Sequence, residues 1–345
     1  MAVTIKDVAR EAGVSFSTVS KVINNSPLIS EATTVRVREV IERMNYTPNV
    51  RAANFKRRST HSVAFLAVLK KGEAFDNPHM FEILCGAHKA LARKGYSVTL
   101  VDVSGDEKPG ETVKAVISAG AYDGLIAHGL AINHAAAAML VRESFPHVVL
   151  GKQEIESQMC WLDSNNVLAG DIAARHLAEG GAKRVAFIGG GKEEGVSKAR
   201  LDGVRSALDK MADVSLREDD IRYTDSSIEE SYTAALGLLA KSGRPDSVVC
   251  ANNMVAIGTL KAVRELKLTL PLDLQLLTFD DYPFSRVMDP PPTVVNIDCY
   301  DLGEQMASQL LRNIRNPALR VQSYITLPEL IVRGTTTTPS ATPRP

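Results

Sequence analysis

Seven histidines, four cysteines and one glycine run are the residues of this 345-residue chain best suited to chemistry. Their spacing supplies none. His79, His88, His128, His134, His147 and His176 form neither an HxxxH pair nor a His–carboxylate cluster, so no metal centre is expected. Cys85, Cys160, Cys250 and Cys299 stand far apart in apolar segments with no CxxC pair, which reads as buried core thiols of a cytoplasmic protein. Gly189-Gly190-Gly191-Lys192 follows an apolar strand pattern but misses the phosphate-loop register. Glu193 occupies the place of the Ser or Thr that would coordinate Mg²⁺, and the glycines do not fit GxGxxG. That run is expected to be a plain strand-to-helix loop. No GxSxG nucleophile motif occurs. The chain is therefore not expected to be an enzyme or to carry a cofactor.

What remains is binding chemistry, and it is concentrated at one end. Residues 1–60 hold ten Lys and Arg against five Asp and Glu, a net +5; with the whole chain at +0, the remainder carries −5. A basic head on an acidic body points to a polyanion met by the head alone.

Three short helices position those charges. Thr4 is suited to cap a helix over 5–12, with Asp7 three residues on and Val8 and Ala9 inward. Gly13-Val14 leaves room only for a tight turn. Ser15 then caps a helix over 16–23 with Val19, Val22 and Ile23 inward. Ser30 caps a third over 31–44, striped by Val35, Val37, Val40, Ile41 and Met44. Helix, glycine turn, helix is the pattern whose second helix enters the major groove of DNA. Residues 47–60 are too short and polar to hold a helix alone.

From Ser62 onward apolar strands alternate with helical stretches. Strands are expected at 63–69, 97–103, 124–127, 147–150, 185–188, 221–223, 247–251 and 275–278. Helices are expected at 81–94, 109–119, 133–144, 168–179, 196–211, 229–240 and 255–266. Such alternation gives parallel sheets covered on both faces; two sets give two α/β lobes with a cleft at the strands' carboxyl ends. Apolar residues make up 45%, ample for such cores, and no stretch approaches the roughly 20 apolar residues of a membrane span. The polar, charged start (1–13) is not expected to be a signal peptide. The Thr/Pro-rich end, 334–345, lacks leucine heptads and is expected to be a disordered tail.

The wording of the head is more specific than its pattern. Thr4-Ile-Lys-Asp-Val-Ala, Ala12-Gly-Val-Ser, Ser17-Thr-Val-Ser-Lys-Val-Ile-Asn and Tyr46-Thr-Pro-Asn resemble the LacI (lactose repressor) family headpiece, and the resemblance runs on to about Val332. It implies a helix-turn-helix headpiece at 1–46, a hinge at 47–60 and a periplasmic-binding-protein-like core at 61–333. In such a core the chain crosses between lobes near 160–164, 289–294 and 322–327, giving an N-lobe of 61–161 and 294–323 and a C-lobe of 164–290 and 324–333.

The resemblance also assigns roles. Phe16, Ser17 and Lys21 would face base edges, while Thr4, Ser15, Thr18, Ser20, Asn24 and Asn49 belong to the same DNA-contacting surface. Lys21 stands where the family usually has arginine, so it offers guanine a point donor in place of a bidentate fork. Phe55 stands at the usual leucine that wedges into the minor groove, with Lys56 on phosphate. His79, Met80, Asn165, Arg200, Asn252 and Asp280 match the effector site between the lobes. Asn165 and Asn253 replace common aspartates, which implies a less acidic cleft than a usual sugar site, and Ser226 lies near a usual stacking aromatic. A sugar, a nucleoside or an anionic sugar derivative remains open. The implied protein is a repressor acting as a homodimer on pseudo-palindromic double-stranded operator DNA. A transporter's solute-binding protein would share the core but not the headpiece.

Overall fold

The computed structural model describes residues 5–23, 28–44, 59–69, 78–103, 109–152, 158–192 and 194–338. The chain divides into two units, Met1–His61 and Ser62–Pro345.

In the first unit, α1 (Ile5–Glu11), α2 (Phe16–Ile23) and α3 (Glu31–Arg43) enclose Val8, Ala9, Ala12, Val19, Val22, Val37 and Val40. Burying a valine contributes roughly 1.5–3 kcal/mol, so seven small apolar side chains suffice only for a small core. Gly13 makes the α1–α2 turn at φ +64, a left-handed conformation that a side chain would strain. Ser15 caps α2 by accepting the Thr18 N–H at 3.2 Å, and Ser30 caps α3 by accepting that of Thr33 at 3.4 Å. Val35, expected inward, is exposed.

The second unit holds two six-stranded sheets. In the N-lobe sheet, β1 (Ser62–Ala67), β2 (Ser97–Asp102), β3 (Gly124–His128), β4 (His147–Leu150), β5 (Trp161–Ser164) and β11 (Gln322–Thr326) lie in the order β11-β5-β4-β3-β1-β2, all parallel. The C-lobe sheet contains β6 (Arg184–Gly189), β7 (Ser215–Tyr223), β8 (Ser247–Cys250), β9 (Gln275–Phe279), β10 (Thr293–Asn296) and β12 (Glu329–Ile331). Its order is β12-β10-β9-β8-β6-β7, with only β12 antiparallel.

Alternate strand residues feed two cores per lobe, as period-2 geometry requires. Val63, Phe65 and Ala67 face α4 (Pro78–Ala92) and α11 (Cys299–Arg315), whereas Ala64 and Leu66 face α5 (Pro109–Ser118) and α6 (His134–Arg142). In the C-lobe, Val185 and Phe187 face α7 (Asn166–Glu179) and α8 (Gly195–Leu208), and Ala186 and Ile188 face α9 (Ile228–Leu239) and α10 (Asn253–Glu265).

Four short strands, β5, β10, β11 and β12, were not expected, and they move the lobe boundaries. β5 and β11 belong wholly to the N-lobe sheet and β10 to the C-lobe sheet. The crossings therefore fall at Asn165, between Asn296 and Cys299, and between Thr326 and Glu329. The largest correction is the second, expected near 289–294. Asp289-Pro290-Pro291-Pro292 looks like a linker but only leads into β10, and the N-lobe core resumes at Ile297.

The tail expectation is also corrected over the described part, 334–338. Thr335 and Thr336 are buried. The Thr335 hydroxyl donates to Leu276 O at 2.6 Å and accepts the Thr293 N–H at 2.8 Å; Thr336 Oγ1 lies 2.8 Å from Thr293 Oγ1 and 2.7 Å from His176 Nε2. Cys85, expected in the core, is exposed; Cys160, Cys250 and Cys299 are buried.

Candidate functional site

The cleft site is built around Arg200. Its helix, α8, lies hard against α7 because Gly170 and Gly203 present no side chain at the contact: a Cβ at Gly170 would collide with Arg200 O, and one at Gly203 with Val167 O. Held there, the Arg200 side chain is almost fully buried. Nη1 donates to Ala251 O at 2.6 Å, Nε to Asn166 Oδ1 at 3.1 Å, and Nη2 lies 3.5 Å from Asp280 Oδ2, with the guanidinium 4.1 Å above the Phe279 ring. A buried guanidinium requires such partners, and these contacts engage three of its five N–H donors.

Asp280 follows β9 at φ +66, a conformation that Asp tolerates better than most residues. Its Oδ1 is buried without a hydrogen-bond partner, as is the neighbouring Tyr282 hydroxyl. Burial, with the Asp280 carboxylate adding, pushes the Tyr282 pKa far up, so it stays a neutral phenol. Unsatisfied buried polar atoms are costly, and two lie here near the same cation.

Two histidines enter from the N-lobe. His79, on the first turn of α4, has its pKa lowered by burial; Asp280 opposes the shift and Arg200 adds to it, so His79 faces the ion pair across the cleft. His128, at the end of β3, is pushed down to about 4, by burial and then by His79. Both are neutral at pH 7, and His128 Nδ1 accepts the Leu130 N–H at 3.4 Å, which makes Nε2 its donor. Met80 was expected in the cleft; it is 2% exposed and packs in the N-lobe core with Ile83 and Leu302, because the next position on α4 points toward the sheet.

The asparagines divide their labour. Asn165 Oδ1 caps α7 through the Leu168 N–H at 3.0 Å, so its oxygen is engaged by the helix; the adjacent Asn166 holds Arg200. Asn252 caps α10 through the Val255 N–H at 2.9 Å and donates to Ser226 Oγ at 3.1 Å. Asn253 donates to the Phe279 and Asp280 carbonyls, fixing the strained turn that aims Asp280. Sequence reasoning did not single out Asn166, Asp163, Glu194, His128 or Tyr282 for this site. Doubled Asn-Asn pairs at 165–166 and 252–253, each at a helix start, were the available signal.

The cleft is also more acidic than expected. Burial raises the pKa of Asp163, which two backbone N–H groups and Arg200 oppose, and burial likewise raises Glu194, opposed by Arg200. Glu194 folds over Gly190, where a Cβ would strike its carboxylate. The glycine run is indeed a strand-to-helix loop, joining β6 to α8.

On the headpiece, Phe16, Ser17 and Lys21 are exposed, and their spacing puts them on one face of α2. The hydroxyls of Ser17 and Thr18 each lie 2.9 Å from Ser15 Oγ, a cluster at the N-terminus of α2 where backbone N–H groups and the helix dipole favour phosphate. The side chain of Ser20, with Thr4, Asn24, Asn49, Phe55 and Lys56, lies outside the described residues.

A helix-turn-helix unit and, in the same chain, a two-lobed α/β core with a polar site together define a ligand-responsive DNA-binding regulator. The chain belongs to the LacI family of bacterial regulatory proteins: the family's DNA-binding segment matches residues 4–49, and a periplasmic binding protein-like domain matches residues 174–336. It is 30% identical over 332 residues to the ribose operon repressor of Escherichia coli (strain K12), covering 96% of this chain and 99% of the relative. It is 26% identical over 333 residues to the transcriptional repressor PurR of Vibrio vulnificus (strain CMCP6), covering 96% and 98%. Among solved structures, the transcriptional regulator CelR–cellobiose complex superimposes with a TM-score of 0.73 at 27% identity over 96% of this chain and 99% of that one. The lac repressor dimer bound to operator and the anti-inducer ONPF does so at 0.83, with 22% identity over 98% and 100%. The protein is a DNA-binding transcription regulator of the repressor class, controlled by a small-molecule effector. Among the described residues no helix is long and apolar enough to cross a membrane.

Proposed function

We propose that this cytoplasmic, homodimeric repressor takes a neutral polyhydroxylated effector, a pentose- or hexose-like sugar, between Arg200 and Asp280 on one lobe and His79 and His128 on the other. The observation that carries this reading is the unpartnered, buried Asp280 Oδ1 beside Arg200. A carboxylate and a guanidinium side by side grip vicinal hydroxyls, one accepting and one donating. The electrostatics favour a neutral ligand. Arg200 is already paired with Asp280, and the acids Asp163 and Glu194 lie within its electrostatic reach, so an added phosphate would compete with Asp280 for the same cation. The relative named for ribose and the structural neighbour in complex with cellobiose support the same class.

On DNA, Ser15, Phe16, Ser17, Thr18 and Lys21 of α2, with Thr4, Ser20, Asn24 and Asn49, would meet the major groove and backbone. Phe55 and Lys56 would meet the minor groove and its phosphates. One headpiece covers a half-site, so a dimer reads a pseudo-palindrome. Ligand closing the cleft lowers operator affinity, the induction mode. The test is a thermal-shift and calorimetric screen of the full chain with D-ribose, D-xylose, D-glucose, D-galactose and cellobiose against purine nucleosides and ribose 5-phosphate. A true ligand stabilises by RT ln(1 + [L]/Kd). A neutral sugar is expected to shift the melting temperature; a response confined to nucleosides or to the phosphate contradicts the reading.

A further inference from the structure

Arg200 is oriented through contacts that cross the hinge. Asp163, on β5, is the next-to-last N-lobe residue before the first crossing. Its Oδ2 accepts the Lys152 N–H at 3.0 Å and its Oδ1 the Ser164 N–H at 2.7 Å, both from the N-lobe. Beyond the crossing, on the first turn of α7, the buried Asn166 turns its amide back: Nδ2 lies 3.2 Å from Ser164 Oγ, 3.4 Å from Ser164 O and 3.5 Å from Asp163 Oδ1. The opposite end of the same amide, Oδ1, accepts Arg200 Nε. One planar group thus touches the N-lobe on one edge and the C-lobe's ligand-gripping cation on the other. An amide cannot bend between its two ends, so a rotation of the lobes about Asn165 must either move Arg200 or release the Asp163 side.

We infer that Asp163 is a positioning residue for Arg200, and that Asp163 and Asn166 form an interlobe latch through which occupancy at Arg200 is conveyed to the lobe angle. The inference rests on the cleft reading above for its regulatory meaning, but the latch acts in the ligand-free chain as well. The contacts at Asp163 are all donors: two backbone N–H groups and an amide NH₂. Asp163→Asn must therefore turn its own NH₂ against one of them. Asn166→Asp keeps an acceptor for Arg200 Nε but sets a carboxylate against Asp163. Two carboxylates this close share one proton once the pH is low enough, and burial already raises Asp163, so mild acid should rebuild the link as a carboxyl–carboxylate hydrogen bond.

The experiment measures the interlobe distance distribution by spin-label spectroscopy in the full ligand-free chain. Labels are placed at K114C (N-lobe) and K241C (C-lobe), in a C85S background because Cys85 is exposed, with labelled chains diluted into unlabelled ones. The unsubstituted latch should give one narrow distribution at pH 7.5 and 5.5. N166D should at least double its width at pH 7.5 and return to narrow at pH 5.5; D163N should be broad at both. An N166D or D163N distribution as narrow as the parent's at pH 7.5 overturns the latch, as does broadening of N166D that acid does not reverse. D-ribose affinity is measured on the same samples. Failure of the parent to bind it counts against the sugar reading alone, since the distances decide the latch without ligand.

Discussion

Arg200 and Asp280 meet at 3.5 Å through Nη2 and Oδ2, while the other Asp280 oxygen is buried and unpartnered. The pair is half-made. An ion pair used only for stability would be expected to close as a bidentate fork; this one keeps an acceptor in reserve. Asp280→Ala and Arg200→Ala should each weaken sugar binding by about 10- to 100-fold, the size of a charge-assisted hydrogen bond. Arg200→Ala should also lower the melting temperature, because it leaves a carboxylate buried without its cation. Calorimetry and thermal melts of the two variants check both statements.

Acid should destabilise the fold through its histidines. His128 and His147 are depressed from 6.5 to about 4, chiefly by burial. At His147 burial outweighs the Phe145 carbonyl, which accepts from Nδ1 at 2.7 Å and favours the charged ring; Nε2 accepts the Cys160 N–H at 3.1 Å, so a second ring proton would face a donor. The folded state resists protons that the unfolded chain accepts. Stability is therefore complete above about pH 6.5 and lost as the pH falls toward 4, by roughly 3 kcal/mol per such histidine. Urea midpoints should decline from pH 7 to 4.5. His147→Leu should start about 1–3 kcal/mol lower at pH 7, with the Cys160 N–H unpaired, and then decline less steeply. A flat parent profile contradicts this.

The sequence reading reached most elements whose signals are local, but it missed α11 (Cys299–Arg315), a 17-residue helix that packs into the N-lobe core. Ser15 and Ser30 announce their helices because a hydroxyl at an N-cap works within three residues. The buried strands β1, β3 and β6 announce themselves by unbroken apolar runs. It also missed Trp161–Ser164 and Gln322–Thr326, short strands with polar residues that pair with each other from opposite ends of the core sequence, Gln322 with Trp161. Site residues followed the same division. Arg200 and Asp280 carried a family wording, whereas Asn166 differs from Asn165 only in which neighbour the helix start leaves free. Asp163 and Glu194 enter the cleft because of lobe geometry that no local pattern encodes.

Thr335 binds the C-terminal segment into the C-lobe sheet, satisfying the Thr293 N–H and the Leu276 carbonyl at once. Thr335→Val removes both hydrogen bonds while keeping the shape. It should cost about 1–3 kcal/mol in urea unfolding, with sugar affinity unchanged, since Thr335 bonds to Leu276 near the start of β9 while Asp280 follows its end. An unaltered midpoint sinks this role.

Lys21 is exposed on the face of α2 that we propose meets base edges. Lys21→Ala should weaken operator binding by about 10-fold or more and relax preference at one base step, whereas a phosphate contact alone would weaken all sequences alike. Phe55→Ala should reduce the operator bend and the affinity together, without altering sugar binding. Anisotropy and bend-angle measurements on the same duplex separate the two.

The most direct measurement is the operator dissociation constant of the full chain, by fluorescence anisotropy, with and without saturating neutral sugar from the screen. Coupling between sites typically amounts to 5- to 150-fold. The parent should lose operator affinity by at least about 5-fold when sugar is added, and Arg200→Ala and Asp280→Ala should keep near-parent affinity that the same sugar concentration no longer changes. An equal response to sugar in the parent and both variants would show that the effector acts elsewhere than the Arg200–Asp280 cleft.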